Sequence, residues 1–452
     1  MALVCPLPKQ IATPDDFLLH RAARMTFDRG AAYPADQTTV RRANLGVVLR
    51  HVATAGSRSR AQIAAETGLT RGTVSSLVSE LIARDLLLET GETTSPRGIG
   101  RPGAALELSD VVVGVGLEVN VDYLAVSVED LTGTVRYRRR SNRDNRDSAP
   151  GSVLDRIGDA VRDALDAAAA DGLRPAGVTV AVAGLVEEAS GTVVLAPNMG
   201  WADLPVAAEL GSRLGLPVVV ENEANLSALA EHWTGAAVGI DDFVCVFGEV
   251  GVGGGIVLGG RLFRGTHGFG GEFGHISVDP EGRACACGSR GCVETLVGQE
   301  SIARAAGISP VAGRPRSLTD ELVRRAQDGA PAVLTALDDA GRWLGIALAS
   351  AFNLLDLRAV VLGGCFGPLA PWLADGVRST LEERSLAARS GSFAVLPSAF
   401  GDGAAVRGAA ALSLRRVLDA PWIVTAASRH EDGHRPASAR DRRGEEVGIG
   451  HP

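Results

Sequence analysis

From Val111 onward the chain repeats one pattern: short β-branched apolar runs alternate with Ala/Leu-rich helical stretches. The series VVVGVG, AVRDALDAAAA, GVTVAVAG, LPVAAELGSRLG and PVVVE is typical. Runs of four to eight apolar residues read as buried strands, and helical stretches between them read as crossovers. Such alternation specifies an α/β domain and leaves no room for a solenoid repeat. The 452 residues are enough for two or three domains. With 46% hydrophobic and 22% charged residues, the composition is that of ordinary globular cores.

The net charge of −8 excludes a protein that coats nucleic acid through bulk charge, so any DNA contact must come from a local patch. Lys9 is the only lysine; the basic side chains are otherwise arginines. The longest apolar run, Trp343 to Leu355, is interrupted by Asn353 and is too short to span a bilayer; it reads as a buried helix. No apolar leader with a small-residue cleavage site opens the chain. Three of the six cysteines crowd into one loop, unlike a disulfide framework, and the expected compartment is a reducing cytoplasm with no membrane partner.

Residues 38–108 have a different character. Leu45, Val48, Leu49 and Val52 mark one helix. Ser59-Arg60-Ala61-Gln62 has the spacing of a capping box for a second, which Gly68 breaks. Thr70 is placed to cap a third, with Val74, Leu77, Val78, Leu81 and Ile82 inward. Its outer face carries Arg71, Thr73, Ser75, Ser76 and Ser79, small enough to let a helix sit deep in a major groove. Two apolar strands then flank a Gly/Pro/Ser loop with Arg97 and Arg101, a β-hairpin wing. Residues 41–84 hold seven arginines against two glutamates, a local surplus of five positive charges in an acidic chain. The expectation is a winged helix-turn-helix whose DNA contacts come from Arg60, Arg71, Thr73, Ser75, Ser76, Arg97 and Arg101. Residues 1–37 are expected to be a flexible extension. Residues 419–452, polar and rich in Arg, Asp and Glu, are expected to be a disordered tail.

The segment GGEFGHISVDPEGRACACGSRGCVE holds the sharpest chemistry. Cys285, Cys287 and Cys292 stand as C-x-C-x4-C, with Gly288 and Gly291 allowing a tight loop and His275 upstream. Three thiolates and one imidazole complete a tetrahedral zinc site with no position left for water, a structural clasp.

A winged helix followed by GEVGVGGGIVLGGRLFRG, GGEFGH and CACGSRGCVE resembles the ROK family of repressors and sugar kinases, over about Arg41 to Leu418. The resemblance implies, for residues 109–418, a two-lobed actin-like (ribonuclease-H-like) α/β domain with a sugar cleft between the lobes and a zinc loop at 275–294. It implies sugar contacts from Asn198, Asn222, Glu272, His275 and Glu294, with His275 also ligating zinc. Carboxylates and amides suit this task, because vicinal hydroxyls want acceptors that take two hydrogen bonds.

The sequence departs from the kinases of that family at their nucleotide residues. The Asp-x-Gly-Gly-Thr phosphate loop reads here Gly116-Leu117-Glu118-Val119-Asn120, and the threonine of the second loop is Val250 after Glu249. The catalytic aspartate slot holds Glu223, a degenerate base that is also a candidate to accept from a sugar hydroxyl. The expected function is therefore a sugar-responsive DNA-binding repressor that does not phosphorylate its effector. Its expected partners are operator DNA, a sugar or sugar-phosphate effector and a second copy of the chain, as a homodimer or higher oligomer. The alternative is an active ATP-dependent sugar kinase with a fused DNA-binding domain.

Overall fold

The computed structural model describes residues 36–94, 103–146, 148–309 and 315–426. The described residues up to Asn44 fall in one unit and those from Leu45 onward in a second. Most of the expected N-terminal extension lies outside the described residues, although Gln37 already opens a helix.

Three helices come first: α1 (Gln37–Ala55), α2 (Arg60–Thr67) and α3 (Arg71–Ala83). Local chemistry fixes their ends. Ser59 accepts from the Gln62 backbone, and the Gln62 side chain accepts from the Ser59 N–H, closing the capping box. Gly68 ends α2 with a left-handed φ of 75°, and the Thr70 hydroxyl caps α3. The antiparallel strands β1 (Leu87–Thr94) and β2 (Gly103–Leu108) form the wing, joined at one edge by Arg58–Ser59. The wing tip, with Arg97 and Arg101, lies outside the described residues.

The α/β region contains the same five-stranded sheet twice. In the first, β3 (Val112–Val119), β4 (Tyr123–Asp130), β5 (Val135–Asn142), β6 (Arg174–Val182) and β7 (Val218–Asn222) lie in the order β7-β6-β3-β4-β5. The second consists of β8 (Phe243–Gly248), β9 (Val252–Leu258), β10 (Arg261–Leu262), β11 (Ala359–Gly364) and β12 (Ala394–Pro397), ordered β10-β9-β8-β11-β12. In each, a central strand makes an antiparallel meander on one side and parallel pairs on the other. Residues 185–204 add a small three-stranded antiparallel sheet beside the first.

Five principal helices cover the sheets: α4 (Pro150–Ala170), α5 (Glu223–Thr234), α6 (Pro331–Leu355), α7 (Phe366–Arg384) and α8 (Ala404–Asp419). The long apolar run expected to be a buried helix is the second half of α6, which packs on α7 inside the second lobe's core. The chain's last helix, α8, returns to the first lobe and packs on β3, β4, β6 and α5. Gly116 makes this contact possible: a Cβ there would lie 2.2 Å from the Val406 carbonyl.

The winged helix shares its core with the first lobe. Leu49, Val52, Leu77 and Leu81 cluster with Val112, Val417 and Val424. Residues 419–426, placed above in a disordered tail, are instead folded. Asp419 ends α8, Pro421–Ile423 make one 3-10 turn and Val424 is buried. Polarity of the segment as a whole concealed one docked valine. Among the described residues no helix is long and apolar enough to cross a membrane.

Candidate functional site

The glycines of β9 bring the candidate residues together. Without side chains, this strand is thin enough to be packed closely on both faces. A Cβ at Gly255 would meet the Ala224 carbonyl in α5 at 2.3 Å, and one at Gly254 would meet Phe273 at 2.6 Å. The Gly run thus positions Asn222 and Glu223 on one side and the Glu272–His275 turn on the other.

Asn222 is the N-cap of α5. Its Oδ1 accepts from the Ala224 and Asn225 backbones, and its Nδ2 donates to the Gly184 carbonyl at 2.9 Å. One N–H of the amide remains for a ligand. Asn198 stands on an exposed 3-10 turn, Pro197–Met199. Glu272, His275 and Glu294 do converge: His275 Nε2 is 3.9 Å from Glu272 and its Nδ1 is 3.5 Å from Glu294. Burial raises the Glu272 pKa, with His275 opposing.

Around His275 the cysteine loop closes tightly. Gly288 and Gly291 take φ values of 92° and 60°, and the Cys285 N–H donates to the Ser289 carbonyl. A ring nitrogen of His275 and the sulfurs of Cys285, Cys287 and Cys292 all lie within 4.8 Å of one another. Cys287 and Cys292 are 3.7 Å apart, as are Cys285 and His275 Nδ1. A tetrahedron with Zn–S bonds of about 2.3 Å has edges of about 3.8 Å, so the donor set fits zinc in both chemistry and spacing. The Ser289 backbone holds the Cys287 thiol below its ordinary range, while burial pushes Cys285 and Cys292 up; a metal cation would stabilise all three as thiolates. Nδ1 faces the Cys285 sulfur, and Nε2 is left facing Glu272.

Sequence reasoning did not place Glu118 and Glu249 in the site. Glu118 at the end of β3, Glu249 after β8 and Glu223 at the start of α5 bring one carboxylate oxygen each within 4.8 Å of the others. The Tyr123 hydroxyl lies between Glu118 and Glu249, and the Asn120 amide donates to Glu249. Burial, then the charge of Glu249, pushes Glu118 up to about 8, against the opposing pull of Tyr123, Arg140 and the Val406 backbone. Burial also raises Glu223 and Glu249. Beside them lies an interlobe cavity of about 240 Å³, lined by Asn120, Tyr123, Arg140, Glu249, Thr319 and Asp402, among others. The signal in the sequence was two acids standing where phosphate loops have glycines.

Of the DNA-contact candidates, Arg71, Ser75 and Ser76 lie on the exposed face of α3. Thr73 is half-buried, and its hydroxyl bonds to that of Thr70. Arg60 pairs with Glu89 on the wing. Part of the positive surplus is met by acids from outside residues 41–84: Arg50 pairs with Asp419 and Arg60 with Glu89.

The ROK family pattern matches residues 114–416. The chain is 28% identical to the xylose repressor of Bacillus subtilis over 389 residues, covering 85% of this chain and 98% of that protein. It is 30% identical to a glucokinase of Streptomyces coelicolor over 280 residues, 59% of this chain and 86% of the kinase. Among solved structures, a ROK family transcriptional regulator homologous to the Escherichia coli MLC protein superposes with a TM-score of 0.71 at 28% identity, covering 85% of this chain and 99% of that one. A ROK glucokinase from Streptomyces griseus, solved with glucose and AMPPNP, gives 0.57 at 29% identity, covering 67% of this chain and 99% of the kinase.

Proposed function

The chain belongs to the ROK family, and from that membership we propose that it is a sugar-responsive transcriptional repressor whose two-lobed domain binds its effector without phosphorylating it. The observation that carries this reading is the core shared by the winged helix and the first lobe, which joins the DNA-reading helix α3 to the sheet that bears the cleft. The likeness to a repressor also extends over 85% of the chain, against 59% for the glucokinase.

The effector is a sugar or sugar phosphate held by Asn198, Asn222, Glu223, Glu272, His275 and Glu294. Glu272 and Glu294 accept from hydroxyls, and the free N–H of Asn222 donates. His275, Cys285, Cys287 and Cys292 hold a structural zinc ion, which fixes the imidazole so that Nε2 faces the cleft. Phosphoryl transfer is disfavoured by the residues at the nucleotide side. Glu118 and Glu249 put side chains where phosphate loops have glycines, and no threonine hydroxyl stands at 250. The chain works as a homodimer or higher oligomer on operator DNA, with Arg71, Ser75 and Ser76 of each α3 in a major groove and Arg60, Thr73, Arg97 and Arg101 in support. Effector shifts the DNA equilibrium only by its differential affinity for the bound and free states.

The test is a DNA-retention assay on the region beside the protein's own gene, repeated over a sugar panel. One sugar is expected to change retention of the wild type, and Glu272→Ala is expected to bind DNA but ignore that sugar. An unchanged response in Glu272→Ala would overturn the cleft assignment.

A further inference from the structure

We propose that Glu118, Glu223 and Glu249 form a binding site for a hard divalent cation beside the interlobe cavity. The site shares Glu223 with the proposed effector contacts and has no donor in common with the cysteine cluster.

The three carboxylates come from three elements, and one oxygen of each lies within 4.8 Å of the other two. Glu118 is fully buried, and its Oε2 has no hydrogen-bond partner among the described residues; the same is true of the Glu223 Oε2. Apart from the Val406 backbone at Glu118, the partners present are too few to neutralise the group. Tyr123 has a single hydroxyl proton for two carboxylates, and Asn120 serves only Glu249. The nearby guanidinium of Arg140 stacks over the Tyr123 ring, 3.4 Å from its centroid, and pairs with Asp402 at 2.8 Å. Burying a carboxylate such as Glu118 without a compensating positive charge is strongly unfavourable.

A cation relieves this shortfall and uses both unpartnered oxygens. Ligand oxygens around a hard divalent ion at about 2.1–2.4 Å are separated by about 3–4.8 Å, from neighbouring to opposite positions. The three oxygens are no farther apart than the upper end of that range. The donor set is all oxygen, with no thiolate or imidazole, which favours Mg²⁺, Mn²⁺ or Ca²⁺ over softer ions. Glu118 and Glu223 belong to the first lobe and Glu249 to the second, so a bound cation would tie the lobes together across the cleft.

The test uses the full-length protein titrated with Mn²⁺, with free Mn²⁺ followed by electron paramagnetic resonance. The wild type is expected to bind one equivalent, displaceable by Ca²⁺. Glu118→Gln and Glu223→Gln, which keep the shape of the side chains, are each expected to weaken binding roughly tenfold or more. Zinc content by elemental analysis is expected to be unchanged in both, separating this site from the clasp. If one variant fails to fold, the other removes a carboxylate from a different element and decides the outcome. No Mn²⁺ uptake by the wild type, or wild-type affinity in the folded variants, would overturn the proposal, whatever the sugar assay shows.

Discussion

Arg84, at the end of the helix α3, donates its Nη1 to the Val424 carbonyl at 2.5 Å, although 340 residues separate the two in the chain. The same guanidinium reaches the Trp422 carbonyl and pairs with Glu80 of α3. A few residues away, Arg174 at the start of β6 holds both Asp85 and the Thr425 carbonyl at 2.7 Å. The segment after α8 is thus fastened between the winged helix and the first sheet. Since α8 also packs on α5, whose N-terminus carries Asn222 and Glu223, the cleft and α3 are linked by packed helices and a short tie.

Arg84→Ala should weaken that tie. A hydrogen bond from a charged donor contributes about 1.5–3 kcal/mol, and some exposure reduces this, so a loss of about 1–2 kcal/mol is expected by thermal or denaturant unfolding. The functional expectation is sharper: effector affinity is retained, while the effector's influence on DNA retention shrinks. Calorimetry with the effector and retention assays with and without it separate the two.

Cys287→Ser should cost the protein its zinc. Elemental analysis is expected to show about one zinc per wild-type chain and a substoichiometric amount in the variant. The melting temperature should fall, and effector binding should weaken because His275 loses the anchor that aims its Nε2 toward Glu272.

Gly116→Asp restores the residue found in the kinases, yet it is expected to restore no activity. The new Cβ would lie 2.2 Å from the Val406 carbonyl and 2.5 Å from the Ala410 nitrogen, both backbone atoms of α8, which cannot yield as a flexible side chain would. Destabilisation of roughly 3 kcal/mol or more is expected. In a coupled assay with ATP and a sugar panel, the wild type should turn over far below about 1 s⁻¹, and the variant no faster.

Ser76→Glu should abolish operator binding by placing a carboxylate on the exposed face of α3, against the phosphates. Zinc content, melting temperature and effector affinity should be those of the wild type. Footprints of the wild type should show two half-sites with centres about 34 Å apart or a multiple of that. A single unrepeated footprint, or tight binding by the variant, would contradict the docking of α3.

Much of this protein is written in short-range sequence. The Ser59–Gln62 box, Gly68 and Thr70 set helix ends because a cap is a contact between residues two to five apart. The strand–helix alternation gave the α/β class, and the cysteine spacing gave the sulfur cluster, since a loop of a few residues brings those sulfurs together whatever surrounds it. Tertiary structure decided the remainder. Glu118, Glu223 and Glu249 meet only through the packing of two separate sheets, so spacing along the chain carried no sign of their cluster. Gly116 stands at the slot of a phosphate-loop aspartate, and only the fold shows that it is also a point where a helix crosses a strand. The arginine surplus looked like an open basic face, but two of its members, Arg50 and Arg60, are paired with Asp419 and Glu89, which the fold places beside them. Val424 is buried because the winged helix and the first sheet leave an apolar site between them, which no polar average over residues 419–452 could register.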